Sequence, residues 1–170
     1  MSAEKKECKF CELLKNNCFK EENRFITENK SCIAVLDHKP QRKGHVLVIL
    51  KNHKKDLSDK NLSNKELKNF IGMIHKTCKR LKERMRDENQ ESPDKIYVSS
   101  LCDGTKHLHA HLVPRYPYTR EDKEFYKKLY PGKKIKPGFW YLAKGEQDKN
   151  KHTKILNKKE FKKLSDKLKD

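Results

Sequence analysis

Short blocks of apolar residues, each bounded by turn residues, run through the chain up to about residue 116, and one long helical repeat interrupts them. Arg24 to Glu28 and Ser31 to Leu36 read as two short strands around Asn29-Lys30, a hairpin turn. Cys32-Ile33-Ala34-Val35-Leu36 is a continuous apolar run, the pattern of a strand buried on both faces. Asp37 ends it, and Lys39 to Gly44 is a loop marked by Pro40 and Gly44. His45 to Leu50 is a third strand, closed by Lys51-Asn52-His53. Ser63-Asn64-Lys65-Glu66 is a capping box. Leu67, Phe70, Ile71, Ile74, Cys78, Leu81 and Met85 then recur at helical spacing, so one long helix ending near Asp87 packs an apolar stripe on the sheet. His75 lies beside that stripe and reads as a surface residue. Ile96 to Leu101 is a fourth strand, and Asp103 to Lys106 leads into a fifth, His107-Leu108-His109-Ala110-His111-Leu112-Val113. Alternation in this last run puts three imidazoles on one face, roughly 7 Å apart, and the apolar residues on the other.

From Pro117 the chain changes character: lysines dominate and the apolar residues are largely aromatic. Thr119 to Leu129 reads as a short helix, Pro131-Gly132 and Pro137-Gly138 as turns. Asn157-Lys158-Lys159-Glu160 caps a final helix built on Phe161, Leu164 and Leu168. These patterns divide the chain into a domain over 1–116 and a basic, lysine-rich C-terminal extension over 117–170. No internal repeat is visible.

Charge adds a partner class. The formal net charge of +18 favours anions such as nucleotides, nucleic acid or acidic surfaces, although the lysines are scattered and not arranged in a stripe. No apolar run is long enough to cross a membrane, and Met1 to Glu7 carries no apolar leader, so a cytoplasmic protein without a membrane partner is expected. In that compartment the six cysteines are thiols or metal ligands. Cys8-Lys9-Phe10-Cys11 is half of a zinc site, a redox motif, or chance; the redox reading wants a preceding strand, and the seven largely polar residues before it do not supply one. Cys18, Cys32, Cys78 and Cys102 read as small buried hydrophobes. No Walker-type glycine-rich loop is present.

Two segments carry a resemblance. His45-Val46-Leu47-Val48-Ile49 with Lys51-Asn52-His53, and His107-Leu108-His109-Ala110-His111-Leu112-Val113-Pro114-Arg115, resemble the histidine triad (HIT) family of nucleotide-binding hydrolases and transferases. Cys8-Lys9-Phe10-Cys11 resembles the zinc-binding start of many bacterial members, and Cys32 to Asp37 the strand that carries a ribose-contacting acid. The resemblance covers about residues 8 to 116. It implies an α+β fold: a HIT-like antiparallel meander sheet that carries the triad, with one long helix packed behind it. It also implies a homodimer. The activity implied is hydrolysis or transfer of a nucleoside 5′-phosphate from a phosphoanhydride or phosphoramidate, through a covalent nucleotidyl-histidine. A neutral imidazole can attack an anionic phosphorus without adding negative charge.

By the same resemblance Cys8, Cys11, His53 and His107 hold a structural zinc ion, a closed set of two thiolates and two imidazoles. His53 just past a strand end and His107 at a strand start complete the site if those ends adjoin. The central His109 is then the nucleophile, with its second ring nitrogen bonded to the His107 carbonyl. His111 protonates the leaving group, His45 holds a phosphate oxygen, and Asp37 accepts from the ribose hydroxyls. The family usually has a Gly-Gln-Ser-like segment before the triad; here Cys102-Asp103-Gly104-Thr105-Lys106 stands there, and Lys106 is the residue placed to contact phosphate. Leu50 stands where a proline is common. Trp140 or Tyr141 of the extension lies near the base if the tail crosses a partner's site. Two other readings remain: a nucleic-acid-binding protein acting on nucleotide-adducted ends, motivated by charge and the aromatic tail, and a purely structural zinc module.

Overall fold

A computed structural model describes residues 8–87, 89–117, 132 and 156–169. Helix α1 (Lys9–Lys15) and the short α2 (Cys18–Glu21) open the chain, followed by strands β1 (Phe25–Glu28), β2 (Cys32–Leu36) and β3 (Val46–Leu50). The long α3 (Asn64–Arg84) leads to β4 (Lys95–Ser99) and β5 (His109–Arg115), and α4 (Lys158–Leu168) closes the described chain. The five strands form one antiparallel sheet in the order β1-β2-β3-β5-β4. The first three strands meander. Strand β4 then goes to the far edge, and β5 returns between β3 and β4.

Local signals set the turns and caps. Asn29 organises the β1–β2 turn: its Oδ1 accepts from the Ser31 and Cys32 amides at 2.9 and 2.8 Å. Ser63 and Glu66 form the expected capping box on α3, and Asn157 and Glu160 form another on α4.

Two apolar layers sandwich the sheet. On one face Ala34, Leu36, Val46, Val48, Ala110 and Leu112 pack against Phe70, Met73 and Leu81 of α3 and against Phe161, Leu164 and Leu168 of α4. The final helix of the extension therefore shares the core of the sheet. Arg80, itself buried, donates from Nη1 to the Leu168 carbonyl at 3.3 Å, placing a cation on the C-terminus of α4. On the other face Ile33, Val35, Leu47 and Ile49 pack under Phe19, with Phe10, Leu13 and Leu14 against them.

Three expectations need correction. The α3 stripe is rotated: Leu67 and Ile71 are exposed, while Met73, Thr77 and Arg80 turn inward, because α4 as well as the sheet packs on this helix. The triad strand starts at His109; His107 and Leu108 precede it, although the Leu50 amide still donates to the Leu108 carbonyl at 3.1 Å. Cys18 and Cys78 are half-buried, unlike Cys32 and Cys102. The helix expected over Thr119 to Leu129, and Trp140 and Tyr141, lie outside the described residues.

Candidate functional site

Register puts the histidines on the face opposite α3. His109 pairs with Ile49 and His111 with Leu47, and these pair in turn with Ile33 and Val35. The histidines thus continue the apolar rows roofed by α1 and α2. Phe10 of α1 meets His107 and His109 edge-on, with ring centroids 5.7 and 5.0 Å apart.

The ring nearest the chain start leaves the triad. His107 is fully buried, and its Nε2–H donates to the Leu50 carbonyl at 2.6 Å. That bond fixes the tautomer, so Nδ1 presents a lone pair. It faces Cys8 Sγ at 3.3 Å and Cys11 Sγ at 3.5 Å, while His53 Nδ1 lies 3.4 Å from Cys11 Sγ. All four donor atoms lie within 4.8 Å of one another. A tetrahedral zinc ion with ordinary bond lengths sets sulfur and nitrogen about 3.5 Å apart. The donor set, its spacing and the preset lone pair of His107 are therefore compatible with zinc. Burial holds the His107 pKa below the ordinary histidine value, which favours the ligating neutral ring.

The remaining histidines form a directional chain. The Gln41 amide can only donate, and it reaches His45 Nδ1 at 3.2 Å. His45 Nε2 therefore carries that ring's proton and faces His111 Nδ1 at 3.1 Å. This leaves the proton of neutral His111 on Nε2, 3.1 Å from His109 Nε2. His109 in turn donates from Nδ1 to the His107 carbonyl at 2.6 Å. Each tautomer follows from the two fixed ends, a backbone donor and a backbone acceptor. His109 Nε2 thus holds a lone pair, which accepts from His111.

Electrostatics keep His45 and His111 neutral. Burial pushes the His45 pKa down to about 4, against the opposing pull of Asp37. Burial and the neighbouring His109 lower that of His111. Asp37 Oδ2 lies 3.5 Å from His45 Nε2 and 3.8 Å from His111 Nδ1. The sign for stability follows: the unfolded His45 takes up its proton near the ordinary value of about 6.5, whereas the folded one resists to about 4. Stability is full above that window and falls as pH drops through it. Urea midpoints at pH 7 and pH 5 should differ more for the parent than for His45→Asn; equal differences would show that His45 is not the buried neutral group.

Several contributors had no clear signal in the sequence. Ser100 Oγ donates to the His109 carbonyl at 2.6 Å, bracing the strand opposite its ring. Cys102 brings Sγ to 3.8 Å from His109 Nδ1, on a left-handed backbone of φ 57° that costs a non-glycine residue about 1 kcal/mol. Phe10 was legible only as the middle of Cys-x-x-Cys. Lys106 is exposed and makes no hydrogen bond or ion pair among the described residues.

The HIT domain model matches residues 19–118. The chain belongs to the histidine triad family. An uncharacterized HIT-like protein of Methanocaldococcus jannaschii is 29% identical over 109 residues, 64% of this chain and 79% of the relative. Among solved structures, a Hit-like protein involved in cell-cycle regulation from Bartonella henselae superposes with a TM-score of 0.60 at 21% identity, covering 98% of this chain and 97% of that one. A zinc-bound histidine triad family protein from Mycobacterium smegmatis gives 0.58 at 17% identity over 95% and 93% of the two chains. No helix among the described residues is long and apolar enough to cross a membrane.

Proposed function

We propose that the protein is a nucleotide hydrolase or nucleotidyl transferase that cleaves a nucleoside 5′-phosphate from a phosphoanhydride or phosphoramidate. A dinucleoside polyphosphate and an adenylylated amine are the substrate types to try first. The observation that carries this reading is the 2.6 Å contact of His109 Nδ1 with the His107 carbonyl, which draws the ring proton to Nδ1 and turns the Nε2 lone pair toward the place of the substrate. In this reading Nε2 forms the bond to phosphorus. The Nε2–H of His111, now on His109, turns to the leaving atom and supplies its proton. His45 Nε2–H holds a non-bridging oxygen, and Asp37 accepts from the ribose. Water then attacks the phosphorus, its proton returns to His111, and the phosphorus–nitrogen bond breaks to free His109. Lys106 stays the candidate for a more distant phosphate. The zinc ion, held by Cys8, Cys11, His53 and His107, is structural, because four protein ligands leave no position for substrate.

The test is to mix the protein with an adenosine phosphoramidate and a dinucleoside polyphosphate, quench in acid, and look for adenylylated protein. A labelled, acid-labile adduct lost in His109→Asn is expected. Hydrolysis of neither substrate, with no adduct, would remove the reading. Equal turnover in His111→Asn on both substrates would remove His111 as the acid.

A homodimer fits the same picture. Strand β4 is an outer strand of the sheet, with Val98 47% exposed, and Leu101 just beyond it is 72% exposed. Light scattering at micromolar concentration should give twice the 20.2 kDa chain mass, and Val98→Lys should shift it toward one. A monomer mass for the parent would sink the proposal. We keep 117–170 as a basic extension of the domain over 1–116.

A further inference from the structure

A second concave site lies away from the histidines, on the side of the sheet covered by α4. A cavity of about 440 Å³ opens between the β2–β3 loop, the chain after α3 and the exposed side of α4. Arg42 and Lys43 enter it from the loop, Arg86 from the end of α3, and Lys163 and Lys167 from successive turns of α4. Two carboxylates share the lining. Both are already engaged by backbone amides: Asp87 Oδ1 accepts from Asn89 and Glu91 at 2.9 and 2.8 Å, and Glu160 Oε2 accepts from Asn157 at 3.0 Å. Five cations against two carboxylates leave an excess of positive charge in one concave volume. The ammonium groups of Lys43, Lys163 and Lys167 make no ion pair among the described residues. Converging five cations on two carboxylates is unfavourable by Coulomb repulsion, and a multivalent anion relieves it.

We infer that this cleft binds a short oligophosphate, three or so linked phosphate groups, at a site separate from the histidines. The size suits a small molecule. The charges converge from three elements around a volume and do not run along a stripe, and no aromatic ring lines the cavity among the described residues. A nucleic-acid strand would want a track and stacking surfaces. The cleft reads phosphate and not base, so inorganic tripolyphosphate and the tail of a nucleoside triphosphate present the same chemistry to it. Its occupant would lie against Arg42, whose neighbour Gln41 holds His45 in its tautomer.

The test is a titration of the zinc-loaded full chain with tripolyphosphate by calorimetry, repeated with ATP and with a ten-nucleotide single-stranded DNA. The proposal stands apart from the catalytic reading, since it requires no turnover. Tripolyphosphate and ATP should bind with dissociation constants within a few-fold of each other. Lys163→Gln/Lys167→Gln should weaken tripolyphosphate binding at least tenfold. The control Lys158→Gln/Lys162→Gln, which removes the same charge from the same helix outside the cleft, should leave tripolyphosphate binding unchanged. Equal losses in the cleft and control variants would mean that net charge alone binds the anion, and would overturn the site. Tripolyphosphate binding that survives undiminished in the cleft variant would place the anion elsewhere on the chain and overturn the site. DNA binding more than tenfold tighter than tripolyphosphate, and lost in the cleft variant, would overturn the ligand class.

Discussion

His109→Asn is expected to bind nucleotide within a few-fold of the parent and to lose about 10³-fold or more in turnover, some 4 kcal/mol of barrier. The asparagine amide can still donate to the His107 carbonyl that now accepts from His109 Nδ1 at 2.6 Å, so the strand has little reason to move. What disappears is the nitrogen lone pair on the far side of the ring. His111 would then face a partner with no nucleophilic electrons, and no nucleotidyl intermediate could form. The measurement pairs steady-state hydrolysis of an adenosine phosphoramidate with calorimetric binding of AMP. Turnover at a tenth of the parental rate would mean that water attacks phosphorus directly and that the histidines only bind.

Cys8→Ser is expected to lower bound zinc from one ion per chain to under a tenth, and to lower the thermal midpoint by about 10 °C, the equivalent of roughly 3 kcal/mol. The four donors join the first turn of α1 to the end of β3 and the start of β5. Without the ion, α1 rests on the sheet through the packing of Phe10, Leu13 and Leu14. Phe10 also borders His109, so the same variant should lose activity at temperatures where it is still folded. A strong chelator should reproduce the drop in the parent and add nothing in Cys8→Ser. A variant as heat-stable as the parent would show that the two cysteines are ordinary thiols beside two histidines.

What the sequence made readable was local. Asn29 and the Ser63–Glu66 and Asn157–Glu160 boxes act within four residues, and the structure forms all three. The alternation in His107 to Val113 gave the face but not the point where the strand begins, since the pull of Leu50 and the cysteines on His107 comes from far along the chain. The α3 stripe was misjudged at Leu67 and Ile71 because helical spacing cannot say how many layers press on a helix. The N-terminal α1 and α2 were not foreseen: at seven and four residues they are too short to show a helical repeat, and they bury Phe19 only because the sheet face beneath them is apolar. Nothing in the residue types could reveal that the Gln41 amide sets the order of protons through three rings. A backbone amide is common to every residue but proline.

The strand order has a consequence for how the molecule acquires its chemistry. Strands β1 to β3 can pair as neighbours, but β5 finds β3 only after α3 and β4 have been placed between them in the chain. His45 meets His111 across 66 positions, and Cys8 meets His107 across 99. Contacts of such separation close late, because the loop entropy must be met before they contribute. Until that closure the rings of His45, His109 and His111 are apart, and so are the four candidate metal donors. During refolding, metal uptake and hydrolytic activity should therefore rise together, and both should lag the far-ultraviolet signal of α3.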